Sequence, residues 1–167
     1  MTPSFGRDGI RGFPQNASEM KRKAARDYKD LLQCAIPAFD SLLPEPHNSI
    51  LMKLLYICAQ WHATAKLRLH HDITLQLLDY TTTWLGAQMR LFVHTTCSRV
   101  ATKELQQESD TREKREGNGK GKGASTRKPV KFNIFTIKFH FLGDYVPAIQ
   151  RFGTTDSFST ETVRLSA

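Results

Sequence analysis

The chain has 167 residues, 40% hydrophobic and 24% charged, which suits one modest globular domain and leaves little room for a second. Lys and Arg number 24 against 16 Asp and Glu, a net charge of +8 with a pI near 9.6. A soluble protein with that balance most often meets nucleic acid, an anionic membrane surface or an acidic protein, and charge alone does not choose among them.

In chain order, residues 1–15 are rich in Gly and Pro and read as an extended segment, and residues 16–100 carry helical periodicity. Asn16 and Glu19 are spaced as a capping box. Behind them Met20, Ala24, Tyr28, Leu31, Leu32, Ala35 and Phe39 recur at steps of three and four, the stripe of an amphipathic helix. Pro37 falls inside the stripe and should kink or end the helix, because it removes a backbone donor. Pro44 and Pro46 mark a turn, with Asn48 as the next cap.

The spacing predicts a second helix over 49–69, with Leu51, Leu54, Leu55, Cys58, Trp61 and Ala65 on one face. A third helix is expected behind Asp72 as cap, with Ile73, Leu77, Thr81, Trp84, Leu85 and Phe92 inward. Short loops favour antiparallel neighbours. The expected fold is therefore mainly α, a three-helix block over 16–100 that buries Leu32, Leu55, Trp61, Leu77 and Trp84.

Residues 101–130 read as a disordered basic linker. From Arg112 to Lys131 there are eight basic residues against Glu113 and Glu116, and the run GNGKGKGAST has almost no apolar side chains. Such a run cannot bury enough surface to offset its chain entropy. Residues 131–167 form the last segment. Phe132, Ile134, Ile137 and Phe139 alternate as in a short strand. Val146, Ile149 and Phe152 suit a short helix, with Asp144 as cap, Pro147 in its first turn and Gly153 at its end.

Few motifs carry chemistry. There is no G-x-S-x-G, P-loop, H-E-x-x-H or dinucleotide fingerprint. Cys34, Cys58 and Cys97 are odd in number and far apart, which fits a reduced intracellular protein better than a disulfide scaffold or a zinc site. The opening residues are broken by Arg7, Asp8 and Arg11, unlike a signal peptide, and the apolar stretch 54–65 is too short for a bilayer, so no membrane partner is expected. His62 and Lys66 sit one turn apart, and a partly buried helix face is a simpler account of them than a phosphate contact. His70 and His71 read as a solvated turn. His140 and Asp144, four apart, suit a structural hydrogen-bonded pair more than a metal site. The basic linker binds DNA or keeps a tether soluble, and both readings stand.

Several uncommon strings occur in a fixed order: FGRDGIRGF at 5–13, ARDYKDLLQCAIPAFD at 25–40, LPEPHN at 43–48, AQWHATAKLRLH at 59–70 and KFHFLGDYVPAIQRFGTTDSFST at 138–160. In them the chain resembles Plavaka-type transposases, fungal cut-and-paste DNA transposon proteins related to the CACTA group. The resemblance covers nearly the whole chain apart from the linker, and FGTTDSFST is its most specific part.

The resemblance implies an RNase H-like catalytic core in the complete family enzyme, with acidic residues holding Mg2+ or Mn2+ for two-metal phosphoryl transfer. The helices of this chain then correspond to an insertion that precedes the last acidic residue of that core. Family members carry an acidic stretch before the string at Phe5 and a Gly-Glu-Leu-Glu-His stretch after the step that matches Glu161. On the resemblance the chain is a catalytically incomplete piece of a transposase, from a truncated element copy or a shortened gene model, and nuclear. It has no catalytic residues or metal ligands of its own. DNA is the expected partner, through Lys120, Lys122, Arg127, Lys128 and Arg68. The alternative is a helical protein-interaction module or a non-functional truncated product.

Overall fold

The computed structural model describes Phe13, residues 24–115 and residues 127–155. The chain is mainly helical. Its elements are α1 (Ala25–Phe39), α2 (His47–Ala65), α3 (Asp72–Phe92), α4 (Gln106–Arg115), α5 (Ile137–His140) and α6 (Tyr145–Phe152). A π-helical turn at Val93–Cys97 extends α3, and a 3-10 turn at Phe141–Asp144 joins α5 to α6. The residues divide into two compact units, one of 1–31 with 97–132, the other of 32–96 with 133–167.

The proposed cap at Asn16 and Glu19 lies outside the described residues. Within α1, Pro37 ends the helix late: the chain stays helical for two more residues and then reverses through Ser41, whose φ is 60°. Leu32, expected in the core, is half-buried.

α2 begins earlier and ends earlier than the spacing predicts. Asn48 is not its cap. Pro46 holds the cap position, and the free amide of Ser49 donates to the Glu45 carboxylate at 3.3 Å. The Ser49 side-chain hydrogen bond first, and this amide contact after it, lower the Glu45 pKa. Asn48 sits inside the first turn, and its buried Oδ1 has no hydrogen-bond partner. At the other end the helix stops at Ala65, where the amide of Lys66 closes on the His62 carbonyl.

α3 starts behind His71, not Asp72. His71 and Thr74 form a reciprocal capping box: the Thr74 hydroxyl accepts the His71 amide at 2.9 Å. His71 is therefore a capping residue and not merely part of a solvated turn, while Asp72 occupies the first helical turn, where a carboxylate favours the positive end of the helix.

The core of the second unit comes from α2, α3 and α6. Leu54, Ile57, Trp61, Ala65, Leu78, Leu85 and Ile149 form the buried cluster, with Met89, Phe92 and Tyr145 packed against it. α2 and α3 run antiparallel. The Trp61 indole N–H donates to Thr82 Oγ1 at 2.8 Å, and His47 Nδ1 pairs with Thr96 Oγ1 at 3.2 Å at the opposite end. Buried threonines are tolerated here because their hydroxyls bond back one turn, Thr81 to the Leu77 carbonyl and Thr64 to the Gln60 carbonyl. Tyr145 of α6 meets Trp61 edge to face at 4.7 Å, and Thr155 donates to the Ala65 carbonyl at 3.1 Å.

Several expectations about this core fail, and Leu55, expected inside, is half-buried. Leu77 and Trp84 are exposed, as is Ile73, while Leu78, the neighbour of Leu77, is fully buried. The third helix of the core is α6 and not the first helix of the chain. α6 itself follows the sequence closely, with Asp144 at the N-cap position and Gly153, at φ 90°, ending it. The Asp144 side chain makes no cap hydrogen bond.

No strand forms among the described residues of 131–140. Phe132 to Phe135 are irregular and Ile137 to His140 are helical. An alternating segment without a neighbouring strand has no ladder to join, so its backbone groups close local helical bonds instead.

Candidate nucleic-acid interface

The basic segment expected to be an unstructured linker is ordered at both of its described ends. Over 106–115 the chain forms α4, and residues 102–104 pair antiparallel with 128–130 around a bridge between Lys103 and Pro129. The Glu104 amide donates to the Lys128 carbonyl at 2.9 Å, and the Val130 amide to the Thr102 carbonyl at 3.0 Å. The Thr102 hydroxyl also donates to the Val130 carbonyl.

Glu104 is the centre of this arrangement. Its carboxylate accepts from Arg112 through Nε at 3.2 Å and Nη2 at 3.1 Å, and from the Lys128 amide at 3.0 Å. Its backbone carbonyl accepts from Arg127 Nε. The Arg112 side-chain bonds come first among the causes that hold the Glu104 carboxyl below its ordinary range, with the Lys128 amide next. α4 starts where the Glu108 carboxylate receives the Leu105 amide at 2.9 Å, and its last turn carries Arg112, Lys114 and Arg115. Ser109, fully buried, accepts from Arg112 Nη2 at 3.3 Å.

Glu104 therefore organises two arginines, Arg112 through its carboxylate and Arg127 through its backbone carbonyl. Arg112 is largely occupied by Glu104, whereas Lys103, Lys114, Arg115, Arg127, Lys128 and Lys131 expose their side chains in the same unit. Such a set can meet phosphate oxygens. A shallow depression of about 660 Å3 lies beside α4, lined by Glu104, Glu108, Thr111, Arg112, Arg115 and Val130. Two carboxylates in its wall make it a poor seat for an anion, so the basic face around it is the better candidate.

Of the residues singled out from the sequence, Arg127 and Lys128 are exposed at the pairing, and Arg127 is already tied through its Nε. Lys120 and Lys122 lie outside the described residues. Arg68 is exposed in the loop between α2 and α3, in the other unit. Lys103 and the Glu104 clip were missed. Glu104, Glu108 and Arg112 stand four residues apart in turn, a spacing that could have signalled them.

The remaining motifs are structural or solvated. His62 is half-buried on α2. His140 and Asp144 are both exposed, and no hydrogen bond or ion pair joins them. Cys34, Cys58 and Cys97 are free thiols.

Among the described residues no group of three or more His, Cys, Asp or Glu converges as a candidate metal site. No helix of the described residues is long and apolar enough to cross a membrane. Comparison with known proteins gives no match to this chain among family models, curated proteins or solved structures.

Proposed function

We propose that the chain is part of a cut-and-paste DNA transposase of the Plavaka type and contacts DNA through phosphates without catalysing strand cleavage itself. Its helices serve as an insertion in an RNase H-like core, and the complete enzyme supplies the carboxylates that hold Mg2+ or Mn2+. The observation that carries the DNA reading is the pairing of 102–104 with 128–130, which gathers exposed Lys103, Arg127, Lys128 and Lys131 beside the basic end of α4. The ordered strings shared with the family support the ancestry.

Binding of this kind is electrostatic, with little sequence preference, and its affinity falls with salt as phosphates release counterions. Fluorescence anisotropy with random duplex DNA over a range of salt concentrations tests it. Changing Lys120, Lys122, Arg127 and Lys128 together to Ala should reduce the salt slope by about 2–4, since each phosphate contact contributes about 0.9. An unchanged slope would transfer the contact to Arg68 or Arg90, or dismiss DNA as the partner.

A further inference from the structure

α3 has two apolar faces, and only one of them is used. Leu78, Thr81 and Leu85 are buried against the core, with Leu75, Met89 and Phe92 beside them. On another face Ile73, Leu77, Tyr80, Trp84, Ala87 and Leu91 are all exposed. Their spacing is four, three, four, three, four, the alternation of a coiled-coil seam. Ile73 is 72% exposed, Tyr80 65% and Trp84 38%. Tyr80 and Trp84 lean on each other at 6.2 Å, Tyr80 mostly solvated and Trp84 partly so.

We propose that α3 docks antiparallel against α3 of a second copy of this chain through this seam. The seam is self-complementary about its midpoint at Thr82. Ile73 then faces Leu91 of the second copy, Leu77 faces the smaller Ala87, and Tyr80 faces Trp84, so that the aromatic rings gather at the twofold axis. Charge selects the direction. The charged residues of α3 are Asp72 and Arg90 near its ends and Asp79 between them. Antiparallel pairing brings the Asp72 end of each copy to the Arg90 end of the other. Parallel pairing sets like charges together at both ends. Exposed pairs of this kind contribute little affinity, so they orient the dimer while apolar burial stabilises it.

The area is modest. Aromatic side chains carry about 150–250 Å2 each, and with the aliphatic residues the exposed seam offers at most on the order of 500 Å2 per copy. Two copies bury at most on the order of 1,000 Å2, the lower bound for a specific interface. A seam under three heptads long would not hold two isolated peptides. Here the helix is already anchored to α2, so docking adds little ordering cost.

Sedimentation equilibrium of the full chain, free of nucleic acid and at high salt, tests the proposal. A concentration-dependent dimer is expected. Leu77→Glu and Tyr80→Glu, each made alone, should leave the far-UV circular dichroism unchanged and raise the dissociation constant about tenfold or more. If Leu77→Glu loses helical signal, Tyr80→Glu carries the same readout on a side chain that is mostly solvated. Orientation is read from an Ile73→Cys/Leu91→Cys double variant: peptide mapping should find a disulfide from position 73 of one copy to position 91 of the other. A chain that stays monomeric up to about millimolar concentration, the range of weak association, overturns the proposal. So does a dimer whose affinity neither substitution alters, or a 73-to-73 link.

Discussion

Leu77 and Leu78 are neighbours in α3 with opposite surroundings, one facing solvent and the other enclosed by α2 and α6. Leu78→Ala should destabilise the monomer by about 2–5 kcal/mol, the transfer loss plus a cavity that helix packing cannot close. Leu77→Ala should cost about 0.5 kcal/mol or less, as exposed substitutions do. Urea unfolding at high dilution measures both, and equal losses would mean that α3 is rotated from the orientation described. Cys58 offers a chemical readout of the same core. Burial raises its thiol pKa from 9.0 to about 11, so at pH 8 only about one thiol in a thousand is thiolate, the nucleophilic form. Iodoacetamide should label Cys58 far more slowly in the native chain than in urea. Equal rates in the two states would show that α2 does not cover it.

At the scale of elements, α4 and the 102–104/128–130 pairing depend on one carboxylate. Because hydrogen bonds from Arg112 and then Lys128 depress the Glu104 pKa, its stabilising contribution is complete above the ordinary value of 4.5 and is lost as pH falls through the lower folded value. Hydrogen-exchange protection of the Lys128 and Val130 amides should therefore hold from about pH 6 down to about pH 4.5 and fall as the pH drops further. Glu104→Gln should lower that protection at pH 6 and remove most of its pH dependence. Protection that follows the same pH course in the variant would assign the titration to another acid, with Glu108 the nearest in sequence. α4 was hidden in the sequence because its residues are almost all polar: a helix without an apolar stripe gives no periodic signal, and the Glu104–Arg112 pair and the Glu108 cap supply what the stripe does not.

For the whole molecule, the 167-residue chain incubated with supercoiled plasmid and Mg2+ or Mn2+ should neither nick nor join DNA. Two-metal transfer needs several carboxylates converging on ions about 4 Å apart. On the proposed reading none of Asp8, Asp144 and Asp156 is catalytic; Asp144 is exposed at the head of α6, and Asp8 and Asp156 lie outside the described residues. Metal-dependent nicking that survives repeated purification and disappears with Asp8→Asn, Asp144→Asn or Asp156→Asn would sink this reading. The mainly helical class and the helices around Leu54, Trp61 and Leu85 were legible from three-and-four spacing, and Gly153 and Pro147 placed α6, because helical hydrogen bonds are local and neighbouring residues specify them. Which face of α3 turns inward was not legible. Apolar residues occupy two of its faces, and periodicity cannot choose between Leu77 and Leu78 until α2 and α6 are packed against one of them. The same holds for Glu104, whose partner at Lys128 is 24 residues away, and for 131–140, whose alternation describes a strand only where a second strand exists to pair with it. Sequence alone determined the local bonds; tertiary structure decided the partners, because a side chain's burial depends on contacts between residues distant in the chain.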